Sequence, residues 1–278
     1  MNLTVVGFGL LGGSFALGMR ELEPGAQVTA VDRPDVLARP AAKRAADRLV
    51  DAVDAAAVDA ALRSADLVLL AAPVQTIAEL VPRALEHARL VTDCGSTKLS
   101  VVRAAERSPR RRRFVPGHPM AGAPEGGIEL AQPGLFRGRR WLLCPEGSDA
   151  DAVEIVESLV RRLGAEPLLL NAADHDRAVA LTSHLTQLVA SALAAVALEA
   201  GAEPAVGPAF EGATRVAGGP EAMWADIFAT NAGPVSDALG ALEAELRRAR
   251  EGLARPVPDT GPALALLARA RRLRRNSR

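Results

Sequence analysis

The first chemically informative residues form a glycine-rich turn. Gly7, Gly9 and Gly12 give the pattern G-x-G-x-x-G directly after an apolar run and at the start of a helical pattern. In such a turn the first glycine permits a tight bend, the second lets a pyrophosphate approach the backbone, and the third allows the helix to pack closely on the strand. The N–H groups of the helix N-terminus then face the phosphates. We therefore expect a dinucleotide to bind at Gly7, Phe8, Gly9, Leu10, Leu11 and Gly12.

An acidic residue stands where the ribose of such a dinucleotide would lie. A second apolar run ends in Asp32, at the usual separation of about 20 residues from the last glycine. Its carboxylate can accept hydrogen bonds from both ribose hydroxyls and would repel a 2′-phosphate, which favours NAD over NADP. Arg33 follows directly and could hold a 2′-phosphate if Asp32 turned away; the alternative is that Arg33 is a solvated loop cation.

Two polar motifs follow later apolar runs. Ser96 lies in D-C-G-S-T-K and His118 lies in G-H-P-M-A-G, each just after a strand-like segment. Residues at the carboxyl ends of parallel strands face the ligand crevice, so both side chains are expected beside the cofactor. Histidine is suited to accept a proton near neutral pH. We predict that Ser96 and His118 are catalytic; the alternative for His118 is a buried structural histidine.

The second half of the chain holds further candidates for substrate binding. Arg215 lies just before the helix-breaking residues 218–220, and its guanidinium offers a bidentate fork for a carboxylate. The alternative for Arg215 is a surface or capping arginine. His184 lies in S-H-L-T-Q on a helical pattern, where the apolar surroundings are equally compatible with a packing role.

The elements that must position these residues form two parts. Short apolar runs alternate with helical patterns as far as residue 170, which predicts a Rossmann-type α/β domain, a doubly wound and mostly parallel sheet, over residues 1–171. No strand-like run follows, so residues 172–278 are expected to form an all-helical domain. Its long helices carry many apolar residues, which indicates a helical surface shared across a subunit interface, most simply a homodimer. The predicted strands are residues 3–7, 27–32, 66–72, 89–93, 113–117, 141–144 and 166–170.

Composition excludes several functions. The chain has 278 residues with 33 basic and 33 acidic side chains, a balance that argues against nucleic-acid binding. It contains no Tyr, which excludes the tyrosine-dependent mechanism of short-chain dehydrogenases. Its only lysines are Lys43 and Lys98, so a β-hydroxy acid dehydrogenase with a lysine base in the helical domain is excluded too. Two cysteines are too few for a four-cysteine site, and no metal is expected.

Two further expectations concern location and an arginine run. The sequence shows neither a secretory leader pattern nor an uncharged apolar stretch of about 18 residues, so we expect a cytoplasmic protein without a membrane span. Residues 107–113 are rich in arginine and are expected to form a solvated loop.

Taken together, the motifs resemble those of the prephenate dehydrogenase family, which includes arogenate and dual-specificity cyclohexadienyl dehydrogenases. The similarity extends to about Arg250 and adds Ala72 and Pro73, in A-A-P-V-Q, to the expected cofactor site. It also implies a nucleotide-binding domain followed by a helical dimerisation domain. The motifs that carry the resemblance, in family order, are G-F-G-L-L-G-G-S, A-A-P-V-Q, D-C-G-S-T-K, G-H-P-M-A-G, S-H-L-x-Q and M-W-x-D-I-F-x-x-N.

The resemblance implies a reaction and a set of roles. The small-molecule substrate would be prephenate, oxidatively decarboxylated with NAD to 4-hydroxyphenylpyruvate in tyrosine biosynthesis; arogenate is the open alternative. His118 would bind and deprotonate the substrate hydroxyl, while Ser96 would orient His118 and the nicotinamide. Arg215 would bind a substrate carboxylate, and His184 and Gln187 would line the pocket.

Two departures from the family pattern stand out. Gln187 occupies a position where some members carry a second histidine, and the loop at residues 123–127 lacks a lysine found in many members. A non-catalytic NAD-binding sensor is the alternative from another functional class. It would be expected to have lost polar residues at the strand ends, whereas Ser96, His118 and Arg215 are all present.

Overall fold

The structure, a computed structural model, describes residues 1–123 and 126–276. Its strands are β1 Asn2–Val6, β2 Gln27–Asp32, β3 Arg48–Asp51, β4 Leu67–Leu70, β5 Val91–Asp93, β6 Phe114–Val115, β7 Gly117–Pro119, β8 Arg140–Leu143 and β9 Glu166–Leu169. Its helices are α1 Leu10–Leu22, α2 Pro34–Leu37, α3 Pro40–Ala45, α4 Ala55–Ser64, α5 Val74–His87, α6 Leu99–Ala105, α7 Ala150–Arg162, α8 Ala172–Val179, α9 Leu185–Glu199, α10 Pro208–Thr214, α11 Glu221–Thr230, α12 Ala232–Leu253 and α13 Gly261–Asn276.

The N-terminal sheet has the Rossmann strand order. Its six strands run β3-β2-β1-β4-β5-β6, and every neighbouring pair is parallel. The strand β4 is buried at all four positions because helices cover both faces of the sheet. The predicted doubly wound α/β domain followed by helices is thereby confirmed.

The strand β3 is absent from the sequence-based prediction. It is a short edge strand, R-L-V-D, in which Val50 is buried while Arg48 and Leu49 are exposed. Only one neighbouring strand pairs with it, so it carries little of the apolar pattern that marks a central strand.

The predicted strand at residues 113–117 is wrong in one respect, because the chain divides it between two sheets. The strand β6 pairs with β5, whereas β7 pairs antiparallel with β8 in a second sheet of order β7-β8-β9. Pro116 separates the two strands and has no N–H to continue a ladder. The change of sheet sets His118 opposite Leu142.

The arginine run at residues 107–113 is a surface loop with Arg107 and Arg112 exposed, as the sequence predicts, but several of its guanidinium groups bond to the protein and are not only solvated. Arg111 donates to the carbonyl of Phe114 at 3.0 Å, and Arg113 donates to the carbonyl of Arg89 at 3.1 Å. Arg112 pairs with Asp149 at the start of α7. The guanidinium groups therefore tie the β6 edge of the sheet to a helix beside it, using acceptors that no sequence pattern reveals.

A long helix opens the C-terminal part of the chain. Helices α8 and α9 are continuous through one π-helical turn, Ala180–His184, and together span Ala172–Glu199. By length and composition alone this helix could cross a membrane, so the expectation that the sequence holds no such segment is wrong. Its first half is anchored in the protein, because His175, Asp176 and His184 are all buried there.

Candidate active site

The glycine turn has the geometry that each of its glycines was predicted to serve. Gly7 has a φ of +90°, and a Cβ there would overlap the Ala71 carbonyl. A Cβ on Gly12 would overlap the carbonyl of Gly7, where α1 crosses β1 closely. In the described part of the chain nothing lies within 4 Å of a Cβ placed on Gly9, which is the N-cap of α1. The turn thus leaves open space at the helix N-terminus, where a pyrophosphate can bind.

Asp32 lies over this turn at the end of β2. Its carboxylate accepts the N–H of Phe8 at 2.5 Å and the N–H of Arg33 at 2.7 Å, one on each oxygen. Each carboxylate oxygen keeps a lone pair that a ribose hydroxyl can use. The guanidinium of Arg33 is exposed and lies 3.4 Å from Asp35, so it is directed to solvent and not to the turn.

The other predicted cofactor residues surround the same turn. Phe8 and Leu10 are buried and Leu11 is half-buried. Ala72 and Pro73 follow β4, and Pro73 is the N-cap of α5. The backbone nitrogen of Ala72 would lie 2.8 Å from a Cβ on Gly7, so the loop after β4 lies against the turn. These residues fit an NAD molecule across the carboxyl edge of the sheet.

A cavity of about 240 Å³ brings three predicted site residues together. Ser96 follows β5, His118 lies in β7, and His184 ends the π-helical turn, so both halves of the chain contribute. π-Helical turns are frequent at functional sites because they re-aim a side chain from an otherwise regular helix. The lining residues are Ser96, His118, Pro119, Met120, Ala121, Gly122, Ser183, His184 and Ile227.

A buried ion pair holds the strand that carries His118. Asp93 at the end of β5 accepts the N–H of Gly117 at 3.0 Å and pairs with the Lys98 ammonium. Lys98 also donates to the Gly117 carbonyl at 2.7 Å. Asp93 and Lys98 therefore fix the peptide next to His118 from both sides. The sequence held a signal for this pair, since Lys98 is one of only two lysines and shares the D-C-G-S-T-K motif with Asp93.

His118 is kept uncharged by its surroundings. Its pKa lies well below the ordinary value, mainly because burial disfavours the imidazolium, with further lowering by His175 and the Lys98 ammonium. Its Nδ1 lies 3.0 Å from Nε2 of His175. A neutral imidazole beside a cofactor crevice can accept a proton from a bound hydroxyl.

His184 is also neutral, and its hydrogen-bond partner is Asn231. The Asn231 amide donates to the Asp176 carbonyl at 2.9 Å and lies 3.2 Å from Nδ1 of His184. The Asn231 amide nitrogen carries two protons, one for the Asp176 carbonyl and one for Nδ1 of His184. Nδ1 of His184 is therefore the acceptor, and Nε2 of the neutral ring carries the proton. Burial lowers the pKa of His184 to about 4. His184 therefore presents a hydrogen-bond donor to the cavity it lines.

Arg215 and Gln187 lie outside the cavity that contains His118. Arg215 is exposed and lines an adjoining cavity of about 680 Å³, which shares Met120, Ala121 and Gly122 with the first. Gln187 is buried one helical turn beyond His184, and its amide lies 3.4 Å from the Ser191 hydroxyl. The loop that lacks the lysine includes residues 124–125, which are outside the described residues.

Sequence reasoning missed the carboxylates that dock the helical part of the chain onto the sheet. Asp226 accepts the N–H of Val74 at 2.5 Å and the N–H of Gln75 at 3.1 Å, so it caps α5. Asp176 accepts the N–H of Lys98 at 2.7 Å and the N–H of Leu99 at 2.9 Å at the start of α6. Negative charge at a helix N-terminus is favourable. The only sequence signal is a polar residue inside an otherwise apolar helical pattern, such as the D of M-W-A-D-I-F.

Across residues 1–123 and 126–276, no group of three His, Cys, Asp or Glu side chains is placed to hold a metal ion. The parallel sheet order, the glycine turn and Asp32 define the dinucleotide-binding fold of an NAD-dependent dehydrogenase, and the Ser96–His118 cavity lies at its carboxyl edge. A family model described as "Prephenate dehydrogenase, nucleotide-binding domain" matches residues 15–169, and one described as "Prephenate dehydrogenase, dimerization domain" matches residues 171–260. The chain belongs to the prephenate dehydrogenase family.

Individual relatives agree with this assignment. A prephenate dehydrogenase of Bacillus subtilis is 31% identical over 85% of this chain and 66% of its own length. A cyclohexadienyl dehydrogenase of Zymomonas mobilis is 29% identical over 91% of this chain and 88% of its own length. The crystal structure of prephenate dehydrogenase from A. aeolicus in complex with hydroxyphenyl propionate and NAD+ superposes with a TM-score of 0.86 at 27% identity, covering 100% of this chain and 98% of that one.

Proposed function

We propose that this protein is an NAD-dependent prephenate dehydrogenase that converts prephenate to 4-hydroxyphenylpyruvate by oxidative decarboxylation. One observation carries the proposal: a neutral, half-buried His118 lines a cavity with Ser96 and His184 at the edge of the sheet where the glycine turn and Asp32 would hold NAD. The A. aeolicus relative, with NAD+ and hydroxyphenyl propionate bound, supports both the cofactor and the kind of ring that the cavity would receive.

The proposed reaction moves one hydride, one proton and one carboxylate. NAD, when bound, supplies the hydride acceptor for the carbinol carbon of the substrate. His118 takes the hydroxyl proton, so the carbinol oxygen becomes a carbonyl as the C–H bond is lost. The ring carboxylate leaves as carbon dioxide, its electron pair completes the aromatic ring, and the carbonyl becomes a phenolate. The protonated His118 then returns its proton to that oxygen to give the phenol. Aromatisation supplies much of the driving force, so the protein mainly needs to orient the ring and hold the proton.

The other predicted site residues would orient the substrate and the nicotinamide. We assign Ser96 to hydrogen bonds with the reacting hydroxyl and the nicotinamide amide, because it lies beside His118 in the cavity wall. His184 would donate from Nε2 to an oxygen of the substrate. Arg215 would bind a substrate carboxylate that extends past Met120 and Gly122 into the adjoining cavity. We assign Gln187, one helical turn beyond His184, to a hydrogen bond with the substrate side chain.

We also propose that two copies of the chain associate as a homodimer in the cytoplasm, with a nucleotide-binding domain over residues 1–171 and a helical domain over residues 172–278. Helix α9 exposes apolar side chains along much of its length, including Val189, Leu193 and Val196. Burial of such a face against a second copy removes apolar area from water. The matching family domain is described as a dimerization domain, which supports this arrangement.

Arogenate, alone or together with prephenate, is the second candidate substrate. The Z. mobilis relative is called a cyclohexadienyl dehydrogenase, which keeps this alternative open. The two substrates differ only in a keto or an amino group on the side chain, and the role assigned to Arg215, binding of a carboxylate, applies to both.

The direct test is to measure NADH formation by the purified protein at saturating NAD with prephenate and with arogenate in separate assays. We expect prephenate to give NADH and carbon dioxide in equal amounts. NADH from arogenate at a higher kcat/KM would assign the second activity instead. If neither substrate gives NADH, the proposed function is wrong.

A further inference from the structure

A row of three hydrogen-bonded side chains leads from the buried interior of the helical half of the molecule to His118, which is half-buried. Nδ1 of His118 lies 3.0 Å from Nε2 of His175, and Nδ1 of His175 lies 2.8 Å from Oδ1 of Asp176. The His175 and Asp176 side chains are fully buried. Asp176 and His175 belong to α8, whereas His118 belongs to β7, so the row crosses between the two halves of the chain.

The protonation of this row can be worked out from its far end. Asp176 accepts the backbone N–H groups of Lys98 and Leu99, one on each carboxylate oxygen. Both oxygens of Asp176 thus act as acceptors, and a carboxylate can only accept hydrogen bonds. The ring nitrogen of His175 that faces Asp176 must therefore be the donor, so Nδ1 of His175 carries a proton.

The proton position on His175 determines the proton position on His118. The pKa of His175 is lowered, mainly because the ring is buried and also because of the Lys98 ammonium, although the hydrogen bond to Asp176 opposes this. A neutral His175 with its proton on Nδ1 has a lone pair on Nε2. Nδ1 of His118 must donate to that lone pair, which leaves Nε2 of His118 unprotonated.

We infer that His175 is a positioning residue, anchored by Asp176, that holds His118 in the one neutral tautomer whose Nε2 can accept a proton from a ligand in the cavity. This inference rests on the proposed function for its catalytic consequence, but the tautomer itself is a property of the protein alone. The opposite tautomer of His118 would place a proton on Nε2 and prevent the ring from acting as a base.

The arrangement gives the two histidines of the cavity complementary roles. His175 leaves His118 with an acceptor nitrogen, whereas Asn231 leaves His184 with a donor nitrogen. A hydroxyl that donates to His118 and an oxygen that accepts from His184 would therefore bind in one orientation only. Because His175, Asp176 and Asn231 all come from the helical half, the base is complete only when that half is docked on the sheet.

Nuclear magnetic resonance of the wild-type protein labelled with ¹⁵N-histidine tests the tautomers directly. The chain has only 4 histidines, so each ring can be assigned by substitution. In long-range ¹H–¹⁵N spectra at neutral pH, with and without NAD, we expect protonated Nδ1 in His118 and His175 and protonated Nε2 in His184. A His118 ring with protonated Nε2, or a charged His175, would overturn the inference. Neither result depends on which substrate the protein uses.

Two substitutions at His175 test the consequence for catalysis. His175→Gln keeps an amide oxygen near the position of Nε2 that can accept from His118, whereas His175→Leu keeps the bulk but removes the acceptor. We expect His175→Leu to lower kcat about 10- to 100-fold, the usual cost of losing a group that orients a functional histidine. We expect His175→Gln to stay within a few-fold of wild type, and the Kd for NAD to change in neither variant.

A matched control separates this effect from general damage. His87→Asn alters a half-buried histidine of α5, remote from the cavity, that lies 3.4 Å from Asp59, and it should leave kcat unchanged. Equal losses in His175→Gln and His175→Leu would show that the ring serves only packing and would contradict the inference. If either variant fails to fold, the spectra of the wild-type protein still decide the tautomer. An inactive wild type with the expected tautomers would instead refute the proposed function alone.

Discussion

At the scale of single residues, the site depends on keeping a histidine uncharged in a place that is rich in charge. His118 lies close to the buried Lys98 ammonium, and both burial and that charge lower its pKa. The ammonium is itself compensated by Asp93, so the pair contributes a fixed arrangement and little net charge. The sequence predicted the residue and its place at the strand end. It placed Asp93 and Lys98 in one motif, but it could not show that they bond to the peptide next to His118, because that contact depends on the chain turning at Pro116.

The lowered pKa of His118 predicts a pH profile. A base acts in its deprotonated form, so activity falls as the pH drops through the pKa of the folded protein. Because that pKa lies below about 6.5, the ordinary value for histidine, kcat/KM for prephenate should stay level as the pH falls from 8 to about 6.5 and decline only below it. The groups facing the ring are Lys98, His175 and His184. A decline with its midpoint at or above 6.5 would contradict this electrostatic account.

Arg215 gives a second prediction at this scale. Arg215→Ala should raise the KM for prephenate about 10- to 100-fold, the cost of one hydrogen-bonded charge pair, with a smaller change in kcat and none in the Kd for NAD. Arg63→Ala, at an exposed arginine of α4, is the matched control. A selective loss of NAD binding in Arg215→Ala would remove Arg215 from the substrate site.

At the scale of elements, the sequence predicted what local patterns encode. The glycine turn joins β1 to α1 as its motif requires. The edge strand β3 and the division at Pro116 were missed because neither is marked by a periodic pattern of apolar residues. The caps by Asp176 and Asp226 were missed because each partner lies far away in the sequence, 152 residues in the case of Asp226 and Val74.

The glycine turn provides a matched pair of substitutions. Gly12→Ala would push a methyl group into the Gly7 carbonyl, so we expect it to lower the free energy of unfolding by about 1–3 kcal/mol. Gly9→Ala points into open space in the described part of the chain, so it should leave the free energy of unfolding nearly unchanged while weakening NAD binding at least tenfold. Urea denaturation and NAD titration measure the two effects. A stability loss in Gly9→Ala equal to that in Gly12→Ala would contradict the roles given to these glycines.

At the scale of the whole molecule, the two halves bury their surfaces differently. The N-terminal sheets and their helices enclose two apolar clusters, whereas the helical half leaves many large apolar side chains exposed in a single chain. The apolar content of the sequence indicated such a surface, because helices with few polar positions cannot bury all of their apolar side chains within one small domain. It could not say which helix face is left uncovered, since that depends on how α9 and α12 pack.

A pair of valines tests the proposed dimer. Val196 on α9 is 70% exposed and Val53 in the loop after β3 is 82% exposed. Substitution of either should therefore change the stability of the single chain little. We expect Val196→Asp to dissociate the dimer in sedimentation experiments, because it would bury a charge between subunits, and Val53→Asp to leave it intact. A Val196→Asp protein that sediments like the wild type would place the interface elsewhere.

The central claim is that His118 is the base of an NAD-dependent prephenate dehydrogenase, and one variant tests it most directly. His118→Asn should lower kcat for prephenate by roughly two to four orders of magnitude, the usual contribution of a general base. The Kd for NAD should stay near that of the wild type, since His118 lies outside the glycine turn. An unchanged kcat in a folded His118→Asn protein that still binds NAD would contradict the account.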